Sequence, residues 1–380
     1  MPARANTIVD PRFAADLRRR RNDRGLSLRQ LAAAVNHGKS LLHQIETGRT
    51  QPTVDVAVRL DAALDAGGGL AALVSDAPDP GERAAYAAAH PTRVDVGAVN
   101  ALADVLASYR RLEDAIGSAP VVAPVRAQLD TVVTLLRDAR HQVRPAVVDV
   151  AAQWAQFAGW LGIAVGDDRA AHLWLGRALQ WATEAGNTDL AAAVLSFQGH
   201  HAEGRGQVPE MIGLSQAARR NLDVNAGLRA YTTGQEARGL AMARACPREV
   251  AARLGEAADL AQEAAETPLS PWGYWYTPSF FAVQQGIVWR HLGVYERPAN
   301  ERAVELLTAG TAGVDKDAAG SDWHGRHLVH LALAQAQTGD LPSARETLAL
   351  ADGIAASTDS RPLARQVAEA VRRLRVSVTG

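Results

Sequence analysis

The chain has 380 residues, of which 47% are hydrophobic and 21% charged, which exceeds one ordinary core and suggests two or more globular domains rather than a disordered chain. No apolar run approaches the roughly eighteen residues needed to span a bilayer, and no apolar stretch follows the N-terminal charges as in a secretion signal. The expectation is a soluble, cytoplasmic protein without a membrane partner. A single cysteine, Cys246, rules out an internal disulfide and a thiolate metal cluster, and it reads as a buried thiol.

The net charge of −1 is unevenly divided. Residues 1–60 carry eleven Arg or Lys against five Asp or Glu, a surplus of six positive charges, which leaves the remainder of the chain at −7. A basic segment on an acidic protein is an electrostatic footprint for a polyanion, because neutralising phosphates releases counterions.

From Phe13 to Arg24, Phe13, Ala14 and Leu17 fall on one side of a helix and Arg18, Arg19, Arg20 and Arg21 surround the rest. Gly25 ends it, and Ser27 is a good N-cap for a two-turn helix carrying Leu28, Leu31, Ala32 and Val35. Asn36, His37 and Gly38 tolerate turn conformations and interrupt the pattern. Leu41, Leu42 and Ile45 resume it on a third helix, whose front end is polar at Lys39, Ser40, His43 and Gln44. Gly48 closes that helix, and Pro52 and Thr53 open a fourth with Val54, Val58, Leu60 and Leu64 inward. Five short helices are expected over about 65 residues. Two short helices joined by a tight turn can place the second in a major groove with hydrogen-bonding side chains at base edges.

Over residues 12–74, through "LSLRQLA", "SLLHQIETGR" and "QPT", the sequence resembles the Cro and lambda-repressor type helix-turn-helix, the XRE family. The resemblance implies a small lambda-repressor-like DNA-binding domain at 10–75, double-stranded DNA as partner, and base reading by Lys39, Ser40, Leu41 and Gln44. It further implies that Glu46, Gly48 and Arg49 close the recognition helix. Where many relatives open helix two with a phosphate-touching glutamine this chain has Leu28, so Arg29 is expected to substitute. Arg18, His37, His43 and Arg49 complete the expected interface, with His43 on phosphate or solvent rather than a base. Lys39 would favour guanine, Gln44 adenine, and Leu41 a thymine methyl.

Asp65–Arg93 is rich in Gly, Pro and Ala without a sustained apolar period and reads as a boundary, with the linker placed at 76–95. A connector at 96–145 follows. Its first helix, with Val99, Leu102, Leu106, Tyr109, Leu112 and Ile116 on one face, suits either dimerisation or packing within its own chain. A second is expected over Pro124–Val143.

Beyond it the sequence shows no convincing strand, and hairpin turns recur at Gly166, Gly206, Cys246, Gly293 and Gly339, 40, 40, 47 and 46 residues apart. Such a period indicates an α-solenoid. "AQFAGWLGIAVGDDRAAHLWLGRAL" and "LVHLALAQAQTGDLPSARETLALA" resemble tetratricopeptide repeats, although the period exceeds that family's roughly 34 residues. The fold class expected is therefore all-α: the helix-turn-helix domain, a linker, and a tetratricopeptide-like sensor domain at 146–380. The Asp of "TGDL" is expected to cap a helix.

All eight tryptophans lie in this second part, and "SPWGYWYTPSFF" makes Trp272, Tyr274, Trp275 and Tyr276 candidates for gripping a peptide or small-molecule effector, against the alternative that they fill gaps between hairpins. His324, His327 and His330 are spaced so that the outer two diverge on a helix, and His200 and His201 point differently. No metal or cofactor is expected. No phosphate-cradling loop, GxSxG elbow or HExxH is present, so an enzyme is not expected. Two functional readings remain: a homodimeric ligand-sensing regulator on a near-palindromic operator, or a DNA-tethered adaptor whose repeats recruit a protein.

Overall fold

The computed structural model describes residues 7–10, 12–76, 84–85, 96–139, 143–266, 270, 272–316 and 318–376. It divides into two compact units, Met1–Glu82 and Arg83–Gly380. The linker expected at 76–95 lies mostly outside the described residues.

The first unit holds helices α1 (Phe13–Asp23), α2 (Leu28–Ala34), α3 (Lys39–Glu46) and α4 (Val54–Ala63), then a single 3-10 turn, Ala71–Leu73. That turn stands where a fifth helix was expected. Behind it Val74–Asp76 pairs antiparallel with Thr7–Val9, Val9 opposite Val74, a short ribbon absent from the sequence reading. The core gathers Phe13, Leu17, Leu31, Leu42, Ile45 and Leu60, each at most 1% exposed. On α4 the inward residues are Val56, Ala57 and Leu60, and Val58 faces water at 49% exposure.

Asp61 organises the end of this unit. Its carboxylate accepts hydrogen bonds from the backbone N–H groups of Gly68 (2.8 Å), Leu70 (2.7 Å) and Ala71 (3.0 Å). Burial pushes the carboxyl pKa up, but the three N–H groups and the nearby Arg20 outweigh it and the pKa is lowered. The Gly-rich stretch after Asp65 is therefore pinned as far as Asp76.

The second unit begins with α5 (Val96–Ile116) and α6 (Ala119–Asp138). Val99, Leu102 and Leu106 of α5 are buried within the chain, and Trp154 donates its indole N–H to the Leu102 carbonyl at 3.2 Å. Leu112 and Ile116 are exposed at 42% and 43%. Helix α6 starts five residues before Pro124 because Pro120 occupies its first turn, where a missing N–H goes unnoticed. By length and composition α6 could cross a bilayer, with a mean hydropathy of 1.2. It packs Val121, Val125, Leu129 and Val132 into the core of the second unit.

Five helical hairpins follow: α7 (Arg144–Val165) with α8 (Asp168–Ala185), α9 (Thr188–Gly204) with α10 (Val208–Ala218), α11 (Ala226–Met242) with α12 (Pro247–Ala264), α13 (Pro278–Leu292) with α14 (Ala299–Ala312), and α15 (Asp322–Thr338) with α16 (Leu341–Ser357). Helix α17 (Arg361–Val376) ends the array. Each of the five expected turns falls between the two helices of a hairpin. Gly166, Gly206 and Gly339 adopt positive φ there, and Asp340 caps α16 by accepting from the Ser343 N–H at 3.2 Å. Close contact within the first hairpin depends on Gly162, where a Cβ would sit 2.6 Å from the Ala171 nitrogen. Cys246, read as buried, is exposed, because it is the N-cap of α12 in a hairpin turn.

The array closes on itself. Helix α17 touches α7, Arg326 of α15 donates to the Ala164 carbonyl of α7 at 3.0 Å, and Trp323 of α15 donates its indole N–H to Asp114 of α5 at 3.1 Å. Side chains on successive first helices meet around an inner circuit. Trp160 of α7 lies 5.8 Å from Phe197 of α9, Tyr231 of α11 lies 5.6 Å from Phe280 of α13, and His291 of α13 lies 6.3 Å from His330 of α15. Arg326 returns to stand 6.0 Å from the Trp160 ring.

Candidate nucleic-acid interface

Helix α2 begins in a capping box. The Ser27 hydroxyl accepts from the Gln30 N–H at 3.3 Å, and the Gln30 side chain accepts from the Ser27 N–H at 2.9 Å. Asn36 turns the chain at φ +57 and Gly48 closes α3 at φ +70, both in the left-handed region. Leu31 of α2, Val35 at its C-cap, and Leu42 and Ile45 of α3 are buried, which fixes the angular setting of α3.

Helix α3 is further locked by an ion pair that spacing in the sequence does not announce. Arg21 of α1 binds Glu46 through both nitrogens of its fork, at 2.6 and 3.1 Å, and donates a third hydrogen bond to the Leu26 carbonyl at 2.7 Å. The side chains are only 13% and 5% exposed. Glu46 raises the Arg21 pKa mainly through this hydrogen bond. The arginine run is thereby divided by function. Arg19 and Arg20 engage Asp16, Arg21 engages Glu46, and Arg24 engages Asp65 at 2.8 Å.

Among the described residues, Arg18, Arg29, Lys39 and Arg49 have no ion-pair or hydrogen-bonded side-chain partner, and all four are exposed. They come from α1, α2, the front of α3 and the segment after it. Arg18 lines an open groove with Asn22, Thr47 and Gly48 at the rear of α3. Ser40, His43 and Gln44 are exposed beside Lys39 on α3, and the Thr50 hydroxyl donates to the Gln44 side-chain oxygen at 3.2 Å. Leu41 is half-buried against the core, and His37 is half-buried with an enclosed Nε2.

Residues 12–74 match the family described as a helix-turn-helix domain. The N-terminal unit is a helix-turn-helix domain. Such domains are the DNA-binding modules of transcription regulators. No curated protein matches the chain by sequence. Among solved structures the chain is similar to PlcR of Bacillus thuringiensis, determined in complex with the peptide PapR7 and DNA, at 13% identity over 78% of this chain and 94% of that one. The TM-score of 0.32 is too low to establish a shared domain arrangement.

The four aromatic residues expected to grip an effector separate. Trp272 and Tyr276 are 7% and 9% exposed and belong to the core of the second unit. Tyr274, 38% exposed, donates its hydroxyl to Asp114 at 2.5 Å, and Trp275 is half-buried, 6.0 Å from Phe197. Among the described residues no group of three His, Cys, Asp or Glu could hold a metal ion.

Proposed function

We propose that this chain is a non-enzymatic transcription regulator that binds operator DNA as a homodimer and whose helical-repeat unit holds an effector. The carrying observation is the polar front of α3: Lys39, Ser40, His43 and Gln44 stand outward together while Leu42 and Ile45 anchor the helix from below. In this reading Lys39 and Gln44 contact base edges, Ser40 and His43 flank them, and Leu41 reaches a thymine methyl with its exposed edge. Arg18, Arg29, His37 and Arg49 hold the phosphate backbone, which positions the domain without reading sequence. One domain covers a half-site, so two copies about one helical turn apart fit a near-palindromic operator.

For the second unit, closure of the repeats supports an enclosed effector over an extended protein partner, since the bonds from α15 to α5 and α7 obstruct a continuous open groove.

The test is a selection of binding sites from random duplex, followed by fluorescence anisotropy on the selected site and on random sequence. Lys39→Ala and Gln44→Ala are expected to weaken the selected site by about 1–3 kcal/mol each and random duplex far less. Arg18→Ala and Arg49→Ala are expected to weaken both alike and reduce the salt slope by about one. Unchanged site preference in the Lys39 and Gln44 variants would refute the placement of α3.

A further inference from the structure

At Glu203 the inner circuit of the second unit gathers two guanidiniums, Arg238 and Arg290, around one carboxylate. Arg238 of α11 faces Glu203 of α9 at 3.3 Å, and Arg326 faces Asp322 within α15 at 3.6 Å. Among the described residues Arg290 of α13 has no carboxylate within ion-pair distance; Glu203, already paired with Arg238, is the anion that acts on it, and the Arg290 hydrogen bond is to the neutral ring of His291, at 2.6 Å. Arg290 is 6% exposed, and its Nε is buried without a hydrogen bond, while Arg238, 4% exposed, holds its terminal nitrogen against Glu203. Two enclosed guanidiniums that share one carboxylate carry a surplus positive charge, which is unfavourable unless a second anion joins them.

The neighbouring groups extend this picture. Burial holds the His291, His327 and His330 rings well below their ordinary pKa, so none adds a charge at neutral pH, and Nδ1 of both His327 and His330 is buried without a partner. Arg290 stays cationic, its pKa lowered by burial only to about 10. His200 links this polar end to aromatic rings, 3.5 Å from the Glu203 carboxylate and 6.1 Å from the ring of Trp160, which with Phe197 and Trp275 forms an edge-to-face series with centroids 5.8 and 6.0 Å apart. A dry core has no use for buried arginine and histidine nitrogens without partners; a ligand with an oxyanion at one end and a flat apolar body has a use for them and for the nearby rings.

We propose that the inner circuit of the repeat unit is a binding site for a small organic anion, its oxyanion held by Arg290 and Arg238 and its apolar body lying against Trp160, Phe197 and Trp275. This deepens the effector reading above by naming the ligand chemistry, and it rests on that reading only for its regulatory meaning.

The probe pair is 1-anilinonaphthalene-8-sulfonate and N-phenyl-1-naphthylamine, which share a ring system but not the charge. The full chain is expected to bind the sulfonate one to one with a blue-shifted emission, at least about tenfold tighter than the neutral dye, the discrimination that one buried charge-assisted contact provides. Arg290→Met should abolish that preference and leave the neutral dye unaffected. Its melting temperature, followed by tryptophan fluorescence, should be no lower than wild type, because an apolar side chain replaces an unpaired charge. Displacement of the sulfonate by 1-naphthoate assigns the site to a free acid. Displacement only by an apolar pentapeptide with a free C-terminus, and not by its amide, assigns it to a peptide carboxylate. Equal binding of the two dyes, sulfonate binding indifferent to Arg290→Met, or a variant that melts several degrees lower each overturn the proposal. Duplex binding is scored separately: a wild-type chain that binds no DNA removes the regulator reading and leaves the anion site standing.

Discussion

Replacing Glu46 by Ala probes the setting of the recognition helix without touching a residue placed on DNA. The change strips two hydrogen bonds, 2.6 and 3.1 Å, from an arginine that is 13% exposed, and leaves it only the Leu26 carbonyl. Opposite charges about 4 Å apart attract by roughly 4 kcal/mol at an effective dielectric near 20. The Arg21 side chain keeps 13% exposure in a unit of 82 residues, so partial rehydration of Arg21 returns some of this and a net loss of about 2–3 kcal/mol is expected. A domain of that size has roughly 4–12 kcal/mol in all, and the loss corresponds to a fall of about 10–20 °C in its melting temperature. Every tryptophan lies at or beyond Trp154, so tryptophan fluorescence follows the second unit alone and far-ultraviolet circular dichroism follows both. The Glu46→Ala chain should lose helical signal early while its tryptophan transition stays in place. Arg21→Met combined with Glu46→Leu should recover most of the loss, because removing both charges leaves neither stranded. A change under about 0.5 kcal/mol in Glu46→Ala, or a double variant no better than the single, would refute a locking role for this pair.

Gly162→Val places a Cβ 2.6 Å from the Ala171 backbone nitrogen and should destabilise the second unit by about 2–3 kcal/mol, seen as an earlier tryptophan transition with duplex binding by the first unit retained. Glu113 is a pH probe. Burial, opposed by the Ser118 hydroxyl at 2.5 Å and assisted by Asp114 and Asp322, raises its pKa from 4.5 to about 8. The folded chain therefore binds this proton more tightly than the unfolded one, so the associated stability is complete below pH 4.5 and declines as pH rises to about 8. Glu113→Gln should abolish that decline: chemical denaturation at pH 9 and pH 5 should differ less in the variant, and an equal difference in both chains would count against a protonated Glu113. Asp61→Asn should act in the opposite direction, since a carboxylate with a lowered pKa contributes at neutral pH and that contribution is lost in acid. The variant should lose stability at pH 7 and show a flatter acid limb in circular dichroism.

The elements most legible in the sequence are those whose causes are local. Ser27, Asn36 and Gly48 announce the start, turn and end of α2 and α3 through capping and left-handed backbone, and the five hairpin turns stand where glycine and polar residues recur. Periodicity also shows which face of α5 is buried over Val99, Leu102 and Leu106. What it leaves open is the identity of the surface opposite. Arg21 and Glu46 are 25 residues apart, and nothing in either neighbourhood pairs them. Asp61 binds a loop that composition alone marks as a break, and its three backbone donors carry no sequence signature. The aromatic segment from Trp272 to Tyr276 stands out by composition, yet its rings divide between core and circuit because the meeting of α9, α11 and α13 is a property of the curved array. The histidines of α15 gain their surroundings in the same way, from α13, which lies one hairpin earlier.

Closure of the repeats changes how the second unit comes apart. A linear array of hairpins contacts only its immediate neighbours and can peel away from either end, one hairpin at a time. Here Trp323 is tied to Asp114 across 209 residues and Arg326 to Ala164 across 162. Neither terminus of the array is loose, and fraying must first open that clasp, so disassembly is gated by a few long-range bonds and proceeds as one concerted event.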